Sequence, residues 1–133
     1  MLDIYKTYAT DEKGEVEGVV VSLGGGASIT VARIGNPEYV KMLLAESEKH
    51  EAALKALPAA EAAALDAKIL CEVLAETVLL GFQGLGFKGK NLKYSKENAI
   101  LLLAVRDFRK RVLTEADKLD NFRVKFEEDS AKN

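Results

Sequence analysis

Residues 84–91, GLGFKGKN, are the part of the chain whose residue types could hold a phosphate. They match G-x-G-x-x-G, the dinucleotide fingerprint, and also G-x-x-x-x-G-K, the beginning of a P-loop. Both sites need a strand before the glycines and a helix immediately after them, because the first amides of that helix bind the phosphate. Here the preceding residues are predicted to be helical, Asn91 stands where a P-loop has Ser or Thr, and the next helix is predicted to begin near Ser95. We therefore interpret the stretch as a loop and expect no cofactor.

Other residues that could carry catalysis or bind a metal are scarce. The chain has one histidine, His50, and one cysteine, Cys71, which lie on different predicted helices. This gives no zinc cluster and only weak support for a pair of nucleophile and base. We therefore expect no metal site and no enzymatic activity. A single cysteine also excludes an intramolecular disulfide, and the sequence shows neither a signal peptide nor an apolar run long enough to span a membrane.

The net charge of -2 is unevenly distributed. Residues 88–111 contain eight Lys or Arg against two acidic residues, a net charge of +6, so the remainder of the chain sums to -8. Three interpretations stay open: a nucleic-acid footprint, contacts between the basic and acidic parts of different copies, or a solvated charged helix face. The sequence pI near 5.5 opposes nonspecific attraction to nucleic acid.

The elements predicted around these residues form a single domain over residues 1–133. Residues 1–35 are predicted to be a three-stranded antiparallel β-meander, with strands over 2–9, 15–23 and around Ile29 and Val31. Residues 36–126 are predicted to be helical, and 127–133 to be a flexible polar tail. The expected fold is mainly α, with about four helices, at the border of the α+β class.

Local signals place the helices. Asn36 and Pro37 can begin a helix over 37–57, and the Leu57-Pro58 pair ends it. A second helix is predicted over 59–80, and Ser95 can cap either one long helix or two short ones broken near 104–106. The second helix is apolar on two faces, so it needs two packing partners, of which one can be a neighbouring subunit. One face carries Leu65, Ile69, Val73 and Leu80, and the other carries Leu70, Cys71, Leu74 and Val78.

Four short motifs resemble those of one family. Residues 89–99, GKNLKYSKENA, are similar to the G-x-x-L-x-Y-S-x-E-N-A element of the tail assembly chaperones of long-tailed, non-contractile (siphovirus-type) bacteriophages. Phe108 and Arg109 match the F-R pair that follows in that family, and residues 121–123 match its N-F-R triplet. Residues 32–37, ARIGNP, resemble its A-R-x-x-N-P junction before the first long helix. The match covers most of the chain in the expected order.

The resemblance implies a non-catalytic protein that self-associates in rings or spirals, binds the tape measure protein and engages the tail tube protein. It also implies a location in the host cytoplasm and absence from the mature virion. Family members commonly occur as a short product and a longer frameshifted one, and this chain resembles the short product. The alternative is a small nucleic-acid-binding protein that uses the basic segment 88–111. The candidate interaction surface comprises Leu70, Leu74, Val78, Lys88, Lys90, Tyr94, Arg109, Arg111 and Phe122.

Overall fold

A computed structural model describes residues 1–126 of the chain. Within that range it contains seven helices, a three-stranded antiparallel sheet and a separate two-stranded hairpin. In chain order the elements are α1 (Ile4–Tyr8), α2 (Glu12–Glu17), β1 (Val19–Gly24), β2 (Ala27–Val31), α3 (Pro37–Ala56), α4 (Ala59–Thr77), β3 (Leu79–Gln83), β4 (Gly86–Phe87), β5 (Lys90–Asn91), α5 (Lys96–Leu103), α6 (Arg106–Asp117) and α7 (Leu119–Phe122).

The first predicted strand, over residues 2–9, is wrong, because this segment forms the short helix α1. Asp3 caps α1 by accepting a hydrogen bond from the Lys6 amide at 3.2 Å. The residues that follow form a second short helix, α2, which begins after Asp11 and has acidic residues in its first turn. An Asp before each helix satisfies or attracts its free amides, and this local effect outweighs the alternation of apolar residues.

The sheet has three antiparallel strands, but only β1 and β2 lie where strands were predicted, and the third strand comes from elsewhere in the chain. The strand order is β1-β2-β3, so β2 is central and β3 arrives only after the two long helices. Ile29 lies opposite Phe82, and Thr30 lies opposite Gly81. The helix predicted to run through Leu80 therefore ends at Thr77. The sequence V-L-L-G-F that follows suits a strand once β2 is available as a hydrogen-bonding partner.

The two long helices begin and end close to their predicted limits. The Asn36 side chain accepts a hydrogen bond from the Tyr39 amide at 3.0 Å, and Pro37 occupies the first turn. Proline suits this position, since it has no amide hydrogen to leave unpaired. α3 ends before the Leu57-Pro58 pair, and α4 begins at Ala59. Together α3 and α4 form an antiparallel helical hairpin.

The C-terminal helices follow the predicted break. Ser95 caps α5 by accepting a hydrogen bond from the Asn98 amide at 3.1 Å. The chain then turns at Ala104 and Val105 before α6, so two helices occur where one long helix or two short ones were predicted. A further short helix, α7, follows. The predicted flexible tail, 127–133, lies outside the described residues.

One hydrophobic core joins the sheet and the helices. Ile29 and Val31 of β2 pack in the same cluster as residues of α4, β3 and the three C-terminal helices. The segment predicted as a β-meander and the helical part therefore share one core. None of the helices in residues 1–126 combines the length and apolar character that crossing a membrane requires. The buried residues of the core are Ile29, Val31, Cys71, Leu74, Ala75, Val78, Leu79, Phe82, Ala99, Leu102, Leu103, Val112, Ala116 and Phe122.

Candidate interaction surfaces

The GLGFKGKN stretch forms the β4-β5 hairpin. Gly86 pairs with Asn91, and Phe87 pairs with Lys90. The two turn residues, Lys88 and Gly89, have φ values of 50° and 83°, as a type I′ turn requires. A strand, β3, does precede the glycines, contrary to the sequence-based expectation. No helix follows them directly, however, because α5 begins only at Lys96. The stretch therefore lacks the helical amides that a phosphate cradle uses.

Gly84, the first glycine of the stretch, connects this hairpin to the β1-β2 turn. Its φ is 70°, and a Cβ atom at this position would lie 2.7 Å from the carbonyl oxygen of Gly26. Real Cβ atoms do not approach an oxygen this closely, so only glycine fits without a backbone shift. Glycine at position 84 therefore allows the turn before the β4-β5 hairpin to lie directly against the β1-β2 turn.

The hairpin forms one wall of an apolar groove, which we call the hairpin groove. The groove has a volume of 270 Å³ and lies between the hairpin and the junction of α5 and α6. Val105 is 46% exposed at this junction, where the chain turns between the two helices. The lining residues are Leu85, Gly86, Phe87, Lys88, Leu102, Val105 and Phe108.

Three of the predicted surface residues are buried in the core, which corrects the candidate surface. Leu74 and Val78 are completely buried, and Phe122 is 1% exposed. The second apolar face of α4 contacts α5 and β3 of the same chain, so it does not require a neighbouring subunit. Leu70 of the same face is half-buried against the core. Phe122 lies beneath the guanidinium of Arg33, 5.2 Å from the ring centroid.

Arg109 and Arg111 make contacts within the chain. Arg109 Nη1 donates a hydrogen bond to the Leu103 carbonyl at 3.0 Å and lies 3.6 Å from Cys71 Sγ. It thereby satisfies a carbonyl at the end of α5, where the helix leaves such groups unpaired. Arg111 Nε donates to Glu115 Oε2 at 2.9 Å. Both side chains therefore stabilise the fold of the C-terminal helices.

Tyr94 also packs against the chain. Its ring makes an edge contact with Phe82, with centroids 5.4 Å apart, and its hydroxyl donates to the Leu79 carbonyl at 3.4 Å. Burial of the hydroxyl raises the pKa of Tyr94. The ring remains 37% exposed, so only part of it is open as a stacking platform for a base.

Glu115 is a buried carboxylate that ties α6 to α7. Asn121 Nδ2 donates to Glu115 Oε1 at 3.0 Å and to its carbonyl oxygen at 2.8 Å, while Arg111 and Lys118 donate to Oε2. The hydrogen bond from Asn121 lowers the pKa of Glu115 most, and the two cations lower it further against the opposing effect of burial. A carboxylate that is 4% exposed is therefore held ionised by three partners.

The motifs that carry the family resemblance meet in the structure. Arg33 of the A-R-x-x-N-P motif lies over Phe122 of the N-F-R triplet and approaches Glu15 Oε2 at 3.5 Å. Asn36 Nδ2 donates to the carbonyls of Arg33 and Thr77, at 2.8 and 3.0 Å. These residues hold α2, the start of α3, the end of α4 and α7 together. Sequence reasoning missed this role for Arg33, since nothing local indicates its contact with Phe122.

Two further surfaces are exposed on the described part of the chain. The first is basic: Lys88, Lys90, Lys93, Arg106 and Lys110 form no ion pair with any residue in 1–126. Lys88 and Lys90 of the predicted surface are exposed at the hairpin, as the sequence suggested. By contrast, Lys96 pairs with Glu76 at 2.5 Å.

The second open surface is the helical hairpin formed by α3 and α4, which we call the arm. None of the 20 residues of α3 is buried, and the buried residues of α4 begin at Ile69. The ten residues of α4 before Ile69 extend about 15 Å at the helical rise of 1.5 Å per residue. Nine of the 16 residues in 52–67 are alanine. Small side chains let another helix approach closely, because the distance between helix axes depends on the residues at the contact.

Residues 1–126 contain no group of three or more His, Cys, Asp or Glu side chains placed to hold a metal ion. A comparison with protein families matches residues 34–133 to the family described as YdaY prophage protein. The matched region begins just after the β1-β2 hairpin and includes the arm, the hairpin groove and the C-terminal helices. A search of curated proteins gives no match, and neither does a search of solved structures.

Proposed function

We propose, since the chain belongs to the YdaY prophage protein family, that it acts in phage morphogenesis as a non-catalytic tail assembly chaperone. In this role it self-associates, binds the tape measure protein and helps to recruit the tail tube protein in the host cytoplasm. The motif resemblance points to this role, and the prophage family is consistent with it. The structural observation that carries the proposal is the arm.

The arm has the properties that binding of an elongated helical client needs. α3 packs against α4, and its remaining surface is exposed along the whole helix. The alanines near the tip, such as Ala60 and Ala63, are exposed and leave room for another helix. An amphipathic client helix can lay its apolar stripe on such a surface without any rearrangement of the arm. Several copies on a long client would protect its apolar stripes from aggregation.

Co-expression with the tape measure protein encoded in the same prophage tests this function. We expect the wild-type chain to raise the soluble fraction of the tape measure protein and to co-purify with it. The variant Ala60→Arg with Ala63→Arg should reduce both, because long charged side chains prevent close helix contact. Thr114→Arg, at an exposed position of α6, is the matched control and should behave like the wild type.

Two outcomes contradict the proposal at different levels. If the tape measure protein is equally soluble with and without this chain, the chaperone function is wrong. If the arm variant acts as well as the wild type, the chaperone function stands but the arm is not the contact surface.

One observation favours a second function. The five basic residues of segment 88–111 that form no ion pair within residues 1–126 offer charges to phosphate groups, as a nucleic-acid-binding protein would. Elution from heparin distinguishes the two functions. If the chain elutes from a heparin column below physiological salt concentration, these residues do not bind nucleic acid. Retention that falls when Lys88 and Lys90 are replaced by Gln would support the second function.

A further inference from the structure

Two groups of exposed apolar residues lie at opposite parts of the sequence, among the several that residues 1–126 contain. Leu2, Ile4, Tyr5 and Tyr8, at the N-terminus, are each more than half exposed. We call these four residues the N-terminal knob. The other group lies around α5 and the hairpin groove, where Leu101 and Val105 are 40% and 46% exposed. Exposed apolar side chains that cluster, rather than scatter, are typical of protein interaction sites.

The knob is held against the rest of the chain. The Val124 amide donates to the Ala9 carbonyl at 3.0 Å, and the Asp11 amide donates to the Phe122 carbonyl at 2.7 Å. The ring of Tyr5 makes an edge contact with Phe126, with centroids 5.9 Å apart. The knob therefore presents its apolar side chains from a defined position, and ordering it on binding costs little entropy.

The two segments that carry the knob and the groove have opposite net charges. Residues 1–17 contain five acidic residues against two lysines, a net side-chain charge of -3. Segment 88–111, which contributes Lys88 and much of the groove wall, has a net charge of +6. Lys96 and Arg111 of this segment form ion pairs within the chain, whereas Lys88, at the groove, forms none with any residue in 1–126. Such complementarity favours the encounter of the two surfaces and disfavours the pairing of two knobs or of two grooves.

We infer that the N-terminal knob of one copy docks in the hairpin groove of a second copy. This inference rests on the proposed self-association and specifies the surfaces that make it. The groove is open and lined mainly by apolar side chains together with Lys88, so it fits an apolar segment with acidic neighbours. Because the two surfaces differ, each docked pair leaves one knob and one groove unused. The contact therefore repeats head to tail and builds a chain or a ring of copies.

Sedimentation velocity of the full chain, over a range of concentration and salt, tests the docking. The knob variant is Ile4→Asn with Tyr5→Asn, and the groove variant is Val105→Asn. Asparagine is polar and neutral, so the charge pattern is unchanged. Leu44→Asn on the arm is the matched control, since Leu44 and Ile4 are both 61% exposed. Circular dichroism melts confirm that each variant is folded.

We expect the wild type and the Leu44 control to form concentration-dependent oligomers that weaken with added salt. Each variant on its own should have a dissociation constant for self-association at least roughly tenfold higher than that of the wild type. This corresponds to a loss of about 1.4 kcal/mol of association free energy. An equimolar mixture of the two variants should form dimers and nothing larger, because only one intact knob and one intact groove can meet in each pair.

Three results would overturn the inference. The first is a wild type that remains monomeric at hundreds of micromolar. The second is a knob or groove variant that oligomerises like the wild type, and the third is a mixture that shows no dimer. Client binding, measured by the solubility of the tape measure protein, depends on the arm instead. If a knob or groove variant oligomerises like the wild type and client binding is retained, only this inference is rejected. If docking occurs but the tape measure protein is no more soluble, only the proposed chaperone function is rejected.

Discussion

Replacing Asn36 should destabilise the chain more than replacing any other single helix cap in the described residues. Its side chain makes three hydrogen bonds: it accepts from the Tyr39 amide, and its amide nitrogen donates to the carbonyls of Arg33 and Thr77. The residue is 5% exposed, and Thr77 is 6% exposed. Asn36→Ala therefore removes a helix cap and also leaves the Thr77 carbonyl without this partner in a buried place.

The two losses can be estimated separately. Loss of an N-cap costs about 1 kcal/mol, and an unsatisfied buried carbonyl costs about 1–3 kcal/mol. The free energy of unfolding should therefore fall by about 2–4 kcal/mol, since the two effects act on different groups. For a chain of this size each kcal/mol lowers Tm by about 4 °C, which gives a decrease of about 8–16 °C.

Ser95→Ala is the matched control for the cap alone. Ser95 caps α5 through a single hydrogen bond, to the Asn98 amide, so its loss should cost about 1 kcal/mol. Asn36→Ser provides a second control, because serine keeps the cap acceptor and removes the two amide donations. This variant should lie between the wild type and Asn36→Ala.

The measurement is chemical denaturation followed by circular dichroism, with thermal melts in parallel. If Asn36→Ala costs no more than Ser95→Ala, the Thr77 contact contributes nothing and the reasoning fails. If Asn36→Ser is as unstable as Asn36→Ala, the cap does not contribute separately.

Gly84→Ala should destabilise the chain more than Gly25→Ala in thermal melts. Both glycines have positive φ, but only at Gly84 would a Cβ meet the Gly26 carbonyl oxygen, whereas Gly25 has open space. Equal losses would show that the close contact is unimportant. Glu115→Gln should lower stability at pH 7 and much less near pH 3. The pKa of Glu115 in the folded chain lies below its ordinary value of 4.5, so its stabilisation is present above that pH and is lost as pH falls through the folded pKa. Denaturation between pH 3 and 7 tests this, with the exposed Glu51→Gln as control; a constant difference for Glu115→Gln would contradict it.

One of the grounds on which the sequence argued against a nucleotide site was wrong. The residues before the glycines form β3 and are not helical. The decisive feature is the Lys88-Gly89 turn, which returns the chain as β5 instead of opening a helix. A thermal shift with ATP or NAD remains a simple check, and we expect none.

The sequence by itself determined the features that depend on neighbouring residues. Asn36, the Leu57-Pro58 pair and Ser95 located the limits of three helices, because caps and proline act within a few residues of their own position. The exposure of Lys88 and Lys90 and the uneven charge were also evident without a structure.

The tertiary structure decided everything that depends on distant partners. β3 forms a strand because β2 lies beside it, although residues 32–78 separate the two in the chain. Leu74, Val78 and Phe122 are buried because α5, β3 and Arg33 cover them, and a stripe of apolar residues does not reveal which element will do so. The knob and the groove likewise become visible only once the fold shows which apolar side chains remain uncovered. Burial depends on the whole chain, and periodicity reports only the face on which a residue lies.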